Sequence, residues 1–232
     1  MTSNPSATLV LSVFVRAFRT PDLRKKLLFT GAMIVLFRFG SNLPAPGVSE
    51  QNVRYCSGLS RSTGAFAIVN LLSGNSLLHL TVFAIGILPY ITASIIVQML
   101  TQVIPRLETL RKQGQAGQAK ITQYTRYVSV GLGLLYAVAY VQAARTGAAF
   151  PGSGCGPTFH PLIPNPTPFT LLTMVITMVS GTAVIMWMGE LITDRGVGNG
   201  MSVLMFTSIV AVIPGEILAA ATTLLGPMAI NV

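Results

Sequence analysis

Long apolar runs alternate along this chain with short polar connections rich in glycine and proline. Five runs stand out: about Leu27–Leu43, Thr81–Thr101, Tyr127–Ala144, Phe169–Ile192 and Met201–Ala221. Roughly twenty helical residues span the hydrocarbon core of a bilayer. The pattern therefore predicts an all-α integral membrane protein with five transmembrane helices. A shorter run, Phe66–Leu72, is broken at Ser73-Gly74-Asn75 and resumes at Leu77-Leu78. Seven apolar residues cannot cross, so the stretch 66–80 is either a re-entrant helix or an amphipathic surface helix. Near the start, Leu9, Val10, Val13, Phe14 and Ala17 share one helical face, with Arg16 and Arg19 off it. That suits a short helix lying in the membrane interface. A secretory signal is disfavoured, because no cationic segment precedes Leu9 and no small-residue cleavage site follows. The expected organisation is an interfacial segment over 1–26, a five-span body over 27–221 and an external tail over 222–232.

The second run is unusual. It contains Gly86 and Pro89, with Thr92, Ser94 and Gln98 at helical spacings. A proline inside a span frees a backbone carbonyl, which in lipid must find a partner in protein or at a water-filled cavity. Gln98 has no favourable place against lipid tails either. This helix is expected to line something polar.

Composition supports lipid as the solvent. Of 232 residues, 51% are hydrophobic and 9% charged, against about a quarter charged in soluble domains. The net charge of +9 fits either nucleic-acid binding or membrane topology, and its placement favours topology. Arg16, Arg19, Arg24, Lys25, Lys26, Arg106, Arg111, Lys112, Lys120, Arg126 and Arg195 fall on one side of the expected spans; Arg54, Arg61 and Arg145 fall on the other. The positive-inside rule then puts the N-terminus in the cytoplasm. Arg38 lies inside the first run near its far end and is expected to snorkel to the outer interface. The segment Pro105–Arg126 reads as a polar, basic cytoplasmic loop. It is either a solvated positive-inside loop or a docking surface for an acidic or RNA-bearing partner.

No enzymatic constellation stands out. His79 and His160 are far apart, there is no HExxH, and no acidic pair lies inside a span. No metal site, cofactor or catalytic residue is expected. Gly196, Gly198 and Gly200 follow a span instead of a strand, which points to a tight turn and not a nucleotide loop. Cys56 and Cys155 are the only cysteines, both in expected external loops. They either pair as a disulfide or remain two free thiols; pairing requires alpha carbons within about 7 Å.

Several long motifs, in order, carry a resemblance. They are Arg38-Phe39-Gly40 with Leu43–Val48, Leu71–Gly74 with Phe83–Gln98, Lys120–Tyr127, and Met186–Gly200. Over about 22–215 the chain resembles the SecY family, the channel subunits of the bacterial preprotein translocase, in an actinobacterial style. The resemblance implies one half of an inverted-repeat channel. Its plug would fall on Phe66, Asn70, Leu71, Leu72, Ser73 and Gly74, which favours the re-entrant helix. Its constricting ring would fall on Ile87, Ile91, Met201 and Met205. The family usually has isoleucine at the last two positions, and methionine keeps the volume with more flexibility. Thr92 and Gln98 match positions lining the lateral gate through which signal sequences reach lipid. Arg106, Arg111, Lys112, Lys120 and Arg126 lie where the family meets the ribosome, including its RNA, or the SecA motor. Gln113 and Gln115 stand where the family usually has acids. SecE and SecG would be partner subunits, unfolded preproteins the cargo, and the bacterial cytoplasmic membrane the location. The family chain has ten spans, so this sequence reads as an N-terminal half that would not conduct protein alone. The alternatives are half of a solute transporter or a non-conducting assembly protein. A transporter should carry an ion-binding site at the midplane, and the only acid near a span, Glu190, sits at a span end.

Overall fold

The computed structural model describes residues 20–59, 73–74, 76–148, 155 and 160–225. Seven α-helices lie among them: α1 Pro21–Ser41, α2 Glu50–Leu59, α3 Leu88–Val103, α4 Pro105–Lys112, α5 Gln115–Thr146, α6 Pro168–Arg195 and α7 Gly200–Leu225. Each of the five expected spans contains a helix. By length and hydropathy, α5 and α6 can each cross a membrane, and α3 with α4 passes only as one pair bent by 99°. In α7 the apolar stretch is Gly200–Gly215. The interfacial helix expected before residue 20, and plug positions Phe66, Asn70, Leu71 and Leu72, lie outside the described residues.

Three boundaries differ from the sequence reading. The second run does not become helical until Leu88, and Pro89 sits in the first turn of α3. There the missing amide hydrogen has no intrahelical partner to lose. Pro89 therefore starts a helix and does not break one. Residues 82–87 form turns, with Gly86 at φ +61°. Second, the expected loop 105–126 is helical almost throughout. Arg, Lys, Gln, Leu and Ala there are good helix formers, and Gly114 at φ +69° turns the chain between α4 and α5. Gly117 permits the close return: a Cβ there would lie 1.7 Å from the Leu110 carbonyl oxygen. Third, the expected external loop 49–63 contains α2.

Helices α3, α5, α6 and α7 pack as sequential neighbours, and α1 rests on α6 and α7. At one end, Pro44 and Thr81 form an isolated antiparallel bridge, flanked by Ala45 N to Leu80 O (2.9 Å) and Val82 N to Leu43 O (2.9 Å). The chain after α1 is thereby tied to the chain before α3. The apolar interior has two parts. One, at the end holding α2, gathers Val53, Cys56, Leu77, Leu80, Tyr140 and Met174. The other gathers Phe37, Phe83, Ile87, Ile185, Met201 and Leu204 between α1, α3, α6 and α7. Phe37 and Phe83 stack at 6.1 Å, and Gly40 leaves the space that the Phe83 ring fills.

Candidate functional site

The end holding α2 is built around its two cysteines. Cys56 and Cys155 are joined by a disulfide with alpha carbons 6.1 Å apart. Three further contacts run from α2 and the residue before it to residues 160–162. Ser49 N donates to Leu162 O (3.0 Å), Asn52 Nδ2 donates to Pro161 O (2.9 Å), and the Tyr55 and His160 rings lie 4.6 Å apart. Tyr140 of α5 donates its hydroxyl to Leu77 O, holding the turn 76–80 beneath this cap. Glu50, Arg54 and His79 line a cavity of about 270 Å³ beside it. Burial first, then the Arg54 charge, lowers the His79 pKa, against an upward pull from Glu50.

Ile87, Ile91, Met201 and Met205 fall in one apolar cluster. Ile87 and Met201 are buried, and Ile91 and Met205 pack against the same group partly exposed. Ile87 and Ile91 flank the start of α3 at Leu88, and Met201 and Met205 lie in the first turns of α7, which starts at Gly200. The start of α7 is fixed by Asn199, whose Oδ1 accepts from Met201 N (3.1 Å) and Ser202 N (3.3 Å). This is the N-cap arrangement. Gly200 N donates to Thr193 Oγ1 (2.8 Å), and a Cβ at Gly200 would lie 1.8 Å from the Gly189 carbonyl oxygen. The three spaced glycines do form the tight turn expected between α6 and α7, with Gly198 at φ +76°.

Ile91 and Met201 also border a polar cavity of about 480 Å³ at the end where α4 and α5 meet. Its walls include Ser94, Thr122, Asn199 and Asp194. Arg126 Nε donates to Glu190 Oε1 at 2.6 Å across the same cavity. An apolar layer thus lies directly over a polar chamber.

On the other side of the apolar layer, Ser73 and Gly74 are seated against the helices. Ser73 is buried, and Gly74, at φ +67°, rests on Ser208 of α7: a Cβ at Gly74 would lie 3.1 Å from Ser208 Cβ. Arg38 does not snorkel as expected. Its Nη2 donates to Thr207 O (2.7 Å) and Ser208 O (3.2 Å) of α7, because α7 passes close enough to α1 to supply acceptors.

The remaining expected residues make local contacts. Thr92 Oγ1 donates to Leu88 O (2.9 Å), partly buried, and Gln98 Nε2 donates to Ser94 Oγ (3.1 Å), exposed. Arg106, Arg111, Lys112 and Lys120 are exposed on α4 and the first turns of α5. Lys112 pairs with Glu108 at 2.7 Å, which draws the Glu108 carboxyl below its usual range. The Arg126–Glu190 link and the contact of Arg38 with α7 are not in the sequence reading. Glu190 was its one signal, as the lone acid near a span. Among the described residues no cluster of His, Cys, Asp or Glu could hold a metal.

The family model described as SecY matches residues 81–231. The chain belongs to the SecY family. It is 56% identical over 209 residues to the SecY protein translocase subunit of Streptomyces scabiei, covering 90% of this chain and 47% of that one. It is 50% identical over 210 residues to the corresponding Mycobacterium tuberculosis subunit, covering 89% and 46%. The chain thus spans about half the length of these SecY relatives. Among solved structures it is similar to a protein-conducting channel, with TM-score 0.58 and 18% identity over 82% of this chain and 37% of that one. It is likewise similar to Sec61 from a canine ribosome-channel complex of the endoplasmic reticulum, with TM-score 0.57, 18% identity and the same coverages. These two likenesses establish the fold.

Proposed function

We propose that this sequence forms the N-terminal half of a Sec protein-conducting channel. Such a channel passes unfolded secretory proteins across the bacterial cytoplasmic membrane and releases membrane segments into lipid. The single observation that carries the reading is the apolar layer of Ile87, Ile91, Met201 and Met205 over a polar chamber, in a chain that belongs to the SecY family. An apolar constriction between wetter spaces resists water and ions by dewetting, yet bulky flexible side chains can part around a polypeptide. Methionine at two of the four positions suits a ring that must reseal on cargo of changing width.

In this reading the five helices α1, α3, α5, α6 and α7 are the five spans, and α4 lies in the cytoplasm. The disulfide end faces outward and the α4–α5 corner faces the cytoplasm, following the distribution of basic residues. Residues 66–80, including Phe66, Asn70, Leu71, Leu72, Ser73 and Gly74, form the plug. Thr92 and Gln98 line the lateral gate. Arg106, Arg111, Lys112, Lys120 and Arg126 meet the SecA motor or the ribosome. SecE and SecG complete the complex with the second half of the channel, and no cofactor or catalysis is involved.

The test is translocation by a full-length channel carrying this sequence as its first half. Reconstituted in vesicles with SecE, SecG, SecA and ATP, it should move a preprotein to a protease-protected state. Protection no greater than in vesicles lacking the channel would refute the reading.

A further inference from the structure

Arg38 carries a permanent charge near the end of α1, and among the described residues no acid pairs with it. Its side chain instead reaches two consecutive carbonyls of α7, those of Thr207 and Ser208. The placement of Ser208 makes this contact specific. Ser208 is 1% exposed, and its hydroxyl turns inward to Leu204 O and Met205 O, 3.0 Å from each. Its backbone and Cβ form the floor on which Gly74 rests. Three residues earlier on the same helical face stands Met205, at the apolar layer. The order across the molecule is therefore Gly74, Ser208, Met205, with Arg38 gripping the middle member from the side.

The root of Arg38 is itself fixed. Its helical neighbours Phe37 and Gly40 receive the Phe83 ring, so α1 cannot slide relative to the turn before α3 without unstacking it. Arg38 thus transmits the position of α1 and Phe83 to the stretch of α7 that underlies Gly74.

We propose that Arg38 is a positioning residue for channel closure: by holding the Thr207 and Ser208 carbonyls it keeps α7 seated beneath Gly74. This rests on the reading of residues 66–80 as a plug and of the apolar layer as the pore ring. Both carbonyls are reached by one terminal nitrogen, Nη2, carried on a rigid planar guanidinium whose geometry a flexible lysine ammonium does not reproduce. Charge-assisted bonds of this kind are the stronger ones, all the more away from water. Losing them shifts the balance between seated and unseated states toward the unseated one.

The test uses the full-length channel with SecE and SecG in planar bilayers, without cargo. Arg38→Met should raise the resting ion conductance about tenfold, the population change expected for losing a charge-assisted bond. Arg38→Lys should fall between wild type and Arg38→Met, and it carries the test if Arg38→Met does not accumulate. A cysteine pair, Gly74→Cys with Ser208→Cys, supplies the second readout. Oxidation should cross-link it efficiently with Arg38 present and several-fold less with Arg38→Met. If the pair cross-links equally in both backgrounds and neither Arg38 variant leaks, the positioning role is overturned while the plug reading stands. If the pair fails to cross-link with Arg38 intact, Gly74 does not sit on α7, and the plug reading falls together with the proposal.

Discussion

Arg126 at the basic end of α5 and Glu190 near the end of α6 meet at 2.6 Å over a polar cavity. Glu190 is the better covered partner, its side chain 20% exposed against 49% for Arg126. Half-open pairs of this kind contribute about 1 kcal/mol or less. Glu190→Gln and Arg126→Met should each lower stability by about that amount, and the double variant should lose less than the sum. Thermal midpoints of the four proteins in detergent would give the coupling. Strict additivity would mean that the pair holds nothing together.

The four-residue layer gives a functional prediction. Replacing Ile87, Ile91, Met201 and Met205 together by serine in the full-length channel should leave a wetted pore and a resting ion leak. Conductance of single channels in planar bilayers measures it, and a leak equal to wild type would remove these residues from the seal.

Cys56 is fully buried in the disulfide, which links positions 99 residues apart. Cross-linking over such a span stabilises by about 4.7 kcal/mol in the chain-entropy picture, less any native strain. Cys56→Ser with Cys155→Ser should lower the unfolding midpoint markedly. A hydrophilic phosphine should reduce the wild-type bond slowly in the folded protein and quickly in denaturant. Rapid reduction of the folded protein would contradict the burial of Cys56.

Two glycines separate close packing from mere helix content. A Cβ at Gly200 meets the Gly189 carbonyl oxygen at 1.8 Å, whereas nothing lies within 4 Å at Gly31. Gly200→Ala should cost more than about 2 kcal/mol through forced separation of α6 and α7. Gly31→Ala should be neutral or stabilising by about 0.5 kcal/mol, since alanine is the better helix former. Comparable losses from the two would show that the α6–α7 crossing is looser than drawn.

His79 predicts an acid-side weakness. Its pKa lies below the ordinary 6.5 because burial and Arg54 disfavour its charged form. The unfolded chain therefore takes up the proton first. The contribution of His79 is fully present above 6.5 and is lost as pH falls through the lowered folded value. His79→Asn should flatten this part of the stability profile on the acid side of 6.5. The comparison is a pair of unfolding midpoints at each pH; parallel profiles would exclude His79 as the source.

The helical class and the approximate place of the long helices are legible in the apolar runs, because an apolar stretch of that length suits a helix in lipid. Boundaries are less legible where a helix is set by a neighbour. Pro89 reads as an interruption in isolation, yet it opens α3 because residues 82–87 are held in turns by the bridge to Pro44. The segment 105–126 reads as a loop from its polarity, though its residues favour helix, and only the return of Gly117 onto Leu110 reveals the hairpin. Family motifs locate Ile87, Ile91, Met201 and Met205, but no local signal announces that Arg38 turns inward. Its acceptors are backbone carbonyls about 170 positions away, and carbonyls leave no mark in a sequence.

The α4–α5 corner changes what a binding partner would encounter. Arg106, Arg111, Lys112 and Lys120 do not ride on a wandering strand of chain. They stand on two short-coupled helices locked by Gly114 and Gly117, with their spacing set before contact. An acidic surface docking there would lose little to the ordering of backbone, so more of the electrostatic attraction would survive as affinity. Such a surface can recognise a pattern of charge as well as its amount.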